Sequence, residues 1–541
     1  MNLTGGQAVV RCLINEGVDT VFGLPGVQND WLYNALYDYR DEIRVIHTRH
    51  EQGAGYMALG YNLASGKVGV TNVVPGPGFL NSSAALATAW GLNAKVLSLV
   101  GQIPLKAQGK ARGVLHEIPD QLAIQQQLTK WAGRATAPGH VPAIMAEAFQ
   151  QLHNGRPRPV GVEVSMDVLK AVEDIDLSNY SKAVTEEEPI DEAAIEKAAN
   201  LLANAKNPLI FVSGGAMNAA NEVTALAEFL QAPTFSYRTG KGIVSSQHHL
   251  SYPVPAAHDL WADADVVIGV GSHVRMPLSK WGVDEKLTLI SINIDETAHD
   301  RIAKPTLSIT ADAAKATSAI LQKLHELKSP ADSRKTEMAE FRKQWNEKTA
   351  YLEPQSTILK IIREELPPEG ILVDELTQVG FASRIVYDAY LPRTYLCTGF
   401  MGTLGWGFQT ALGAKVAKPD VPVISVAGDG GFMFGVQELA TAVQHKIGVI
   451  LLLFNNNLYG NVREMQENLY DNRVIATDLH NPDFVKMAKS FGANAVKVNS
   501  HEGMRAAIKD AMGEELPTVI EVPIANGLPS TNRFKALPKI R

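Results

Sequence analysis

Cysteine is scarce in this chain. Cys12 and Cys397 are the only two, a count that supports neither a disulfide framework nor a cysteine-built metal site and fits a reducing compartment. Basic clusters are missing too. The net charge is −7, charged residues make up 20% of the chain, and no lysine- and arginine-rich block stands out, which argues against nucleic acid as a partner. Long apolar runs are also absent. The longest aliphatic run, VILLLF (Val449–Phe454), is far too short to span a bilayer, which argues against a membrane-embedded chain. The opening residues MNLTGGQAVVRCLINEGV have no cationic flank ahead of an apolar stretch, so no secretory signal is read there. The expectation is a soluble, globular, cytoplasmic protein.

What the sequence does have is rhythm. Its 541 residues are enough for two to four domains and a large core. Short β-rich apolar runs alternate with helix-period stretches from end to end. The runs are TVFGL, RVIHT, VGVTNVV, KVLSLV and PVGVEV, then PLIFVSG, PTFSY, DVVIGVG and TLISINI, then ILVDE, TYLCT, PVISVAG, VILLLF, NAVKV and TVIEV. Strands apolar on both faces and separated by helices predict parallel sheets covered on both sides, a doubly wound α/β architecture. Two charged stretches interrupt the pattern, one acidic and one mostly helical in character. They suggest domains at 1–170, 193–325 and 356–525, linkers at 171–192 and 326–355, and a tail at 526–541. The first and last thirds are similar in style, though no short-period repeat is present.

The stretch GDGGFMFGVQELATAVQHKIGVILLLFNNNLYG (Gly428–Gly460) carries the most chemistry. PVISVAG reads as a strand, Gly428, Asp429, Gly430 and Gly431 as the turn after it, and FMFGVQELATAVQHKI as one helix. VILLLF is the next strand, with Asn456 just past its end. Asp429 and Asn456 are 27 residues apart, about one strand–helix–strand crossover, so both belong at the carboxyl edge of a parallel sheet, where ligands bind. A carboxylate oxygen beside an amide oxygen suits Mg²⁺ or Ca²⁺. Glycines let backbone N–H groups approach a phosphate at a helix start. A lone GDG is more often a tight turn, but GDGG, the crossover length and NN-x-x-YG together favour the metal–phosphate reading.

GDG-x(24)-NN followed by YG resembles the diphosphate–magnesium motif of thiamine diphosphate enzymes, and the likeness extends over nearly the whole chain. The superfamily it resembles contains acetolactate synthase, benzoylformate decarboxylase and pyruvate decarboxylase. The resemblance implies three α/β domains: pyrimidine-binding, central and diphosphate-binding. It implies thiamine diphosphate and Mg²⁺ as cofactors, with Asp429, Asn456 and the backbone carbonyl of Leu458 as metal ligands. In RHEQGAGYMALGYNLASGKVGV (Arg49–Val70), Glu51 corresponds to the glutamate that touches N1′ of the aminopyrimidine and promotes loss of the thiazolium C2 proton. Taken alone, Glu51 equally fits a carboxylate favoured by a helix dipole. In GFMGTLGWGFQTALGA (Gly399–Ala414), Leu404 corresponds to the residue wedged between the cofactor rings. The Gly402 carbonyl would accept from the 4′-amino group, and the Leu404 N–H would meet N3′. The plainer reading makes GTLGWG a glycine-rich turn with Leu404 in the core.

The substrate side is less explicit. GVLHEIPDQ (Gly113–Gln121) has His116 where acetolactate synthases usually carry glutamine. His116 fits a proton relay or a carboxylate contact, and equally a hydrogen-bonded structural histidine. LHE-x-x-DQ resembles a branch that includes 5-guanidino-2-oxopentanoate decarboxylase. Val27 and Val74 stand where benzoylformate decarboxylases have serine and histidine, which argues against aryl-glyoxylate chemistry of that design. Gly460–Asp478 resembles a lid, with Met465 where acetolactate synthases have tryptophan. The central domain carries RTGKG (Arg238–Gly242) but no G-x-G-x-x-G with an acidic ribose partner, so no second nucleotide is expected. The resemblance implies a non-oxidative decarboxylase of a 2-oxo acid, acting through ylide attack and an enamine. A carboligase is the alternative, and an acyl-CoA lyase or non-catalytic homologue is less favoured. It also implies a homodimer or homotetramer whose active sites lie at the subunit interface.

Overall fold

The computed structural model describes residues 1–178, 180–185 and 189–541. Residues 179 and 186–188 of the acidic stretch expected as a linker lie outside the described residues. Among the described residues, three six-stranded sheets organise the fold, and their strands run parallel. By compactness the chain divides into two units, one made of 1–186, 398–459 and 477–524, the other of 187–397, 460–476 and 525–541.

In the first unit, one sheet runs Arg44–His47, Thr20–Gly23, Gly69–Val73, Val96–Gln102, Val160–Ser165, Ala132–Ala135. Its order reverses between the strands that start at Thr20 and Gly69. Such a switch point opens a crevice at the strands' carboxyl ends, and the turn Pro75–Gly78 begins there. The same unit holds four strands of a second sheet in the order Val423–Gly428, Ile450–Asn455, Thr518–Pro523, Asn494–Lys497. The last two strands are exchanged relative to chain order, as they are in the first sheet. The stylistic likeness of the first and last thirds therefore has a topological counterpart.

Two helices of this unit, Glu51–Ser65 and Trp406–Ala417, approach backbone to backbone. A Cβ on Gly60 would lie 2.0 Å from the Thr410 carbonyl oxygen, and one on Gly413 would lie 1.9 Å from that of Met57. Only glycine allows this spacing. The antiparallel pair Asn2–Thr4 and Val172–Asp174 ties the start of the chain to the first residues of the stretch expected as a linker, 171–192.

The second unit contains the central sheet, ordered Ser251–Pro253, Thr234–Ser236, Pro208–Val212, Val266–Val270, Thr288–Asn293, Leu307–Thr310. Residues 326–355, expected as a linker, include the helix Lys335–Thr349, whose Met338, Phe341 and Trp345 join the core of this sheet. Phe534, from the expected tail, joins the same core. The parallel pair Ile371–Val373 and Tyr395–Leu396 also belongs to this unit.

One expected element differs. The turn read at Gly428–Gly431 forms a short helix, Asp429–Phe432, and of the single helix read from Phe432 to Ile447 only Glu438–Gln444 is a separate helix. The chain turns between them at Gly435, where a Cβ would lie 2.5 Å from Gln409 Nε2. Phe434 is exposed, whereas Leu439 and Ala442 are buried. Among the described residues no helix is long and apolar enough to cross a membrane.

Candidate active site

The strand Val423–Gly428 runs directly into the helix Asp429–Phe432. None of Gly428, Gly430 and Gly431 has a positive φ, and at Gly430 what the missing Cβ gives is space. At Gly430 a Cβ would lie 2.5 Å from the Tyr459 ring. Asp429 is only 2% exposed. Burial pushes its pKa above the usual carboxylate range, opposed by hydrogen bonds from the Asn481 side chain and the Gly430 backbone.

Asn481 marks a point of convergence. Its Nδ2 lies 2.6 Å from Asp429 Oδ2, 3.2 Å from Asn455 Oδ1 and 3.1 Å from Asn457 Oδ1. An amide NH₂, the positive end of a dipole, thus meets three oxygens at once. Asn456, the expected ligand, lies between the two asparagines of this group. Its loop is pinned from outside by the bridge between Leu458 and Asp478 and by the bonds Tyr459 N–H to Thr477 O (2.9 Å) and Leu479 N–H to Asn457 O (2.8 Å). Behind it, Asn455 Nδ2 donates to Glu521 at 2.9 Å.

The Gly402 segment lies against this turn. Gly402 and Gly405 have φ of +62° and +78°, left-handed values that glycine adopts without strain. A Cβ on Gly405 would lie 2.5 Å from Phe434 Cβ and 3.6 Å from the Gly431 oxygen. Leu404 is half-buried rather than sealed in the core. Thr403 Oγ1 shares a 3.0 Å hydrogen bond with Thr88 Oγ1 of the helix Pro77–Leu92.

Glu51 opens the helix Glu51–Ser65, capped by His50, whose Nδ1 accepts from Gln52 N–H. Its Oε2 accepts from Asn81 Nδ2 at 3.0 Å, and its Oε1 lies 3.4 Å from where a Cβ on Gly78 would be. The other end of that turn carries His116. A Cβ on Gly76, at φ +58°, would lie 2.4 Å from the His116 carbonyl oxygen. Glu51 and His116 thus flank one Gly-Pro-Gly turn. Gln28, buried, fixes the His116 loop from the other side. Its Nε2 donates to Leu115 O at 2.9 Å, so its Oε1, 2.9 Å from His116 Nδ1, receives the ring proton there. Nε2 is then the ring nitrogen left free of this clamp. His116 itself sits at φ +68°, an uncommon backbone state for a histidine.

Three stretches match known sequence families. Residues 3–124 match the N-terminal TPP binding domain of thiamine pyrophosphate enzymes, residues 195–324 their central domain, and residues 377–522 their C-terminal TPP binding domain. The chain belongs to the thiamine pyrophosphate enzyme family. Among curated relatives, it is 32% identical to a probable 2-ketoarginine decarboxylase of Pseudomonas aeruginosa, over 96% of this chain and 94% of the relative. It is 31% identical to a probable acetolactate synthase large subunit of Methanocaldococcus jannaschii, over 97% and 93%. It is 30% identical to the acetolactate synthase large subunit of Corynebacterium glutamicum, over 96% and 86%.

The residues fit a thiamine pyrophosphate enzyme's cofactor. A buried carboxylate among amide oxygens already draws the positive end of an amide, which is the donor set of a hard cation. The helix start at Asp429 presents N–H groups to an anion. Elsewhere in this enzyme, the helix Gly460–Leu469 has no buried residue among those described. Met465 is exposed, so it is not a core filler. In RTGKG, Lys241 is buried, and its burial lowers its ammonium to about 8.

Three side chains escaped the sequence reading: Asn481, Gln28 and Glu438. Glu438 is fully buried and accepts backbone N–H bonds from Arg49 (3.2 and 3.1 Å) and His50 (3.0 Å). Its one sequence signal is a carboxylate on the apolar side of a helix, next to Leu439 and in step with Ala442.

Proposed function

We propose that this thiamine pyrophosphate enzyme is a Mg²⁺-dependent, non-oxidative decarboxylase of a 2-oxo acid. The observation that carries the reading is the turn Gly76–Gly78, with Glu51 against one end and the clamped His116 against the other. Decarboxylation to an aldehyde needs one group to promote proton loss before the carbon–carbon bond breaks and another to return a proton after CO₂ has gone. Glu51 has the position for the first role. His116, with Nδ1 tied to Gln28, leaves Nε2 as the ring nitrogen that can take up a proton and return it in the second role.

Bound thiamine diphosphate supplies the nucleophilic carbon and the electron sink. Asp429, Asn456 and the Leu458 carbonyl would hold Mg²⁺, with Gly428, Gly430 and Gly431 leaving room for the diphosphate. The convergence of Asp429, Asn455 and Asn457 on one amide supports a cation in this neighbourhood. Gly402 and Leu404 would seat the pyrimidine end.

We infer a homodimer or homotetramer whose cofactor lies between the first domain of one copy and the third domain of another. Exposed apolar side chains on one face support a subunit contact there. Leu80 and Trp90 lie on the helix Pro77–Leu92, and Phe400 and Met401 lie against Gly91 of that helix. Both cysteines are buried thiols, in keeping with the cytoplasm.

The second reading is a carboligase, favoured by the acetolactate synthases among the relatives. The deciding experiment is a screen of 2-oxo acids for CO₂ release with thiamine diphosphate and Mg²⁺, including 5-guanidino-2-oxopentanoate and pyruvate, with product identification. An aldehyde as sole product supports the decarboxylase. A 2-hydroxy-2-methyl-3-oxo acid from pyruvate alone supports the carboligase. No CO₂ from any 2-oxo acid overturns both readings.

A further inference from the structure

The reading of Glu51 as the proton-transfer carboxyl raises a mechanical question. Glu51 is the first residue of its helix, and helix starts fray unless the chain before them is held. The cap His50 satisfies an N–H inside the helix, that of Gln52. The N–H groups of Arg49 and His50 precede the helix and have no helical carbonyl to reach. Both end on Glu438, which lies about 390 positions away in a different domain of the same compact unit.

The fit is close. The carboxylate of Glu438 occupies the space beside the helix's first turn, so that a Cβ on Gly53 would lie 2.6 Å from its Oε1 and 2.7 Å from its Cδ. Its Oε2 also accepts from Thr441 Oγ1 at 2.6 Å, which fixes the rotation of the group. A carboxylate sealed from water is costly unless several donors share its charge. Arg49, His50 and Thr441 supply those donors. The charge further lies at the start of the Glu51 helix, where the helix dipole favours it.

We propose that Glu438 is a positioning residue for Glu51. From the third domain it fixes the two peptide groups immediately ahead of Glu51 and so sets where the Glu51 carboxyl points. The proposal rests on the role assigned to Glu51 above. Glutamine at 438 keeps the size but puts an NH₂ against N–H donors. Alanine at 53 leaves Glu438 in place chemically but drives its carboxylate from the first turn.

The test uses the full-length enzyme and three variants, Glu438→Gln, Gly53→Ala and Glu51→Gln. Two readouts are taken: the C2–H/D exchange rate of bound thiamine diphosphate with Mg²⁺, and backbone amide exchange of the cofactor-free protein over the peptide 44–56. For Glu438→Gln and Gly53→Ala we expect cofactor affinity within about twofold of wild type and C2–H exchange slowed at least about tenfold, within the range that a misplacement near 1 Å costs. Faster amide exchange at Arg49 and His50 should accompany it. If Glu438→Gln fails to fold, Gly53→Ala decides. The proposal is overturned alone if Glu51→Gln stops C2–H exchange while the other two variants exchange at the wild-type rate, or if their 44–56 amides stay as protected as in wild type. If Glu51→Gln itself exchanges normally, the Glu51 reading falls and the positioning role falls with it.

Discussion

Asp429 is costly where it stands. It is nearly sealed from water, burial works against its charge, and the partial positive charges of Asn481 and of backbone N–H groups are what oppose that cost. A divalent cation is a far stronger partner than an amide. Asp429→Asn keeps the shape and removes the charge. We expect Mg²⁺-dependent binding of thiamine diphosphate to weaken by at least about tenfold, the lower end of what losing even an outer partner of a metal site costs. Titration of the cofactor by calorimetry with and without Mg²⁺ checks this, and unchanged affinity would refute the metal assignment. Asp429 and Glu51 were legible in the sequence because their signals are local: glycines around the one, a helix start after RH for the other. Asn481, Gln28 and Glu438 were not, because what each does depends on groups brought to it by the fold. Asn481 sits in an ordinary-looking DLHNPD stretch, and only folding brings it to Asp429, 52 positions earlier.

Elements were more legible than single contacts. Every apolar run read as a strand is one, and the signal is plainest where a parallel strand is buried on both faces and apolar throughout, as in Pro208–Val212 and Val266–Val270. The short strands missed lie at or near sheet edges. Ala132–Ala135 reads AGRA, Ser251–Pro253 reads SYP, and Leu307–Thr310 alternates Leu, Ser, Ile and Thr, so none carries a continuous apolar signal. The break between Phe432 and Glu438 was hidden because the close approach of Gln409 to Gly435, which leaves no room for a Cβ there, comes from a distant part of the chain. The close pairing of Glu51–Ser65 with Trp406–Ala417 likewise leaves only scattered glycines in the sequence. It has a measurable consequence. Gly413→Ala places a methyl group 1.9 Å from the Met57 carbonyl oxygen, where backbone must move. We expect a loss of stability of about 1–3 kcal/mol or more, the usual cost of overpacking, read as a lower midpoint in denaturant at unchanged slope. A wild-type midpoint would mean that the two helices are not in backbone contact in solution. Because Glu51 heads one of these helices, C2–H exchange should slow in the same variant.

At the scale of the whole molecule, the two ends of the proposed cofactor site have different neighbours within one chain. Glu51 is held by Asn81 near the start of the helix Pro77–Leu92, whereas Thr403, beside Leu404, meets Thr88 two turns further along it. Seven residues of helix rise about 10 Å. The exposed apolar residues Leu80, Trp90, Phe400 and Met401 cluster around this same helix, the expected mark of a surface that a second copy covers. A two-fold contact there would repeat every interaction and give two equivalent sites, each with Glu51 from one copy and Asp429 from the other. Complementation tests this directly. Glu51→Ala and Asp429→Ala homodimers should each be nearly inactive. In a mixed dimer one site collects both lesions and the other collects neither. After random equal mixing half the dimers are mixed, and each has one of two sites intact, so about a quarter of wild-type activity should return. Two affinity tags purified in sequence isolate the mixed species, which should then show about half of wild-type activity per dimer. If tagged heterodimers form and stay inactive, each site is built within a single chain. The apolar face around Pro77–Leu92 would then need another explanation.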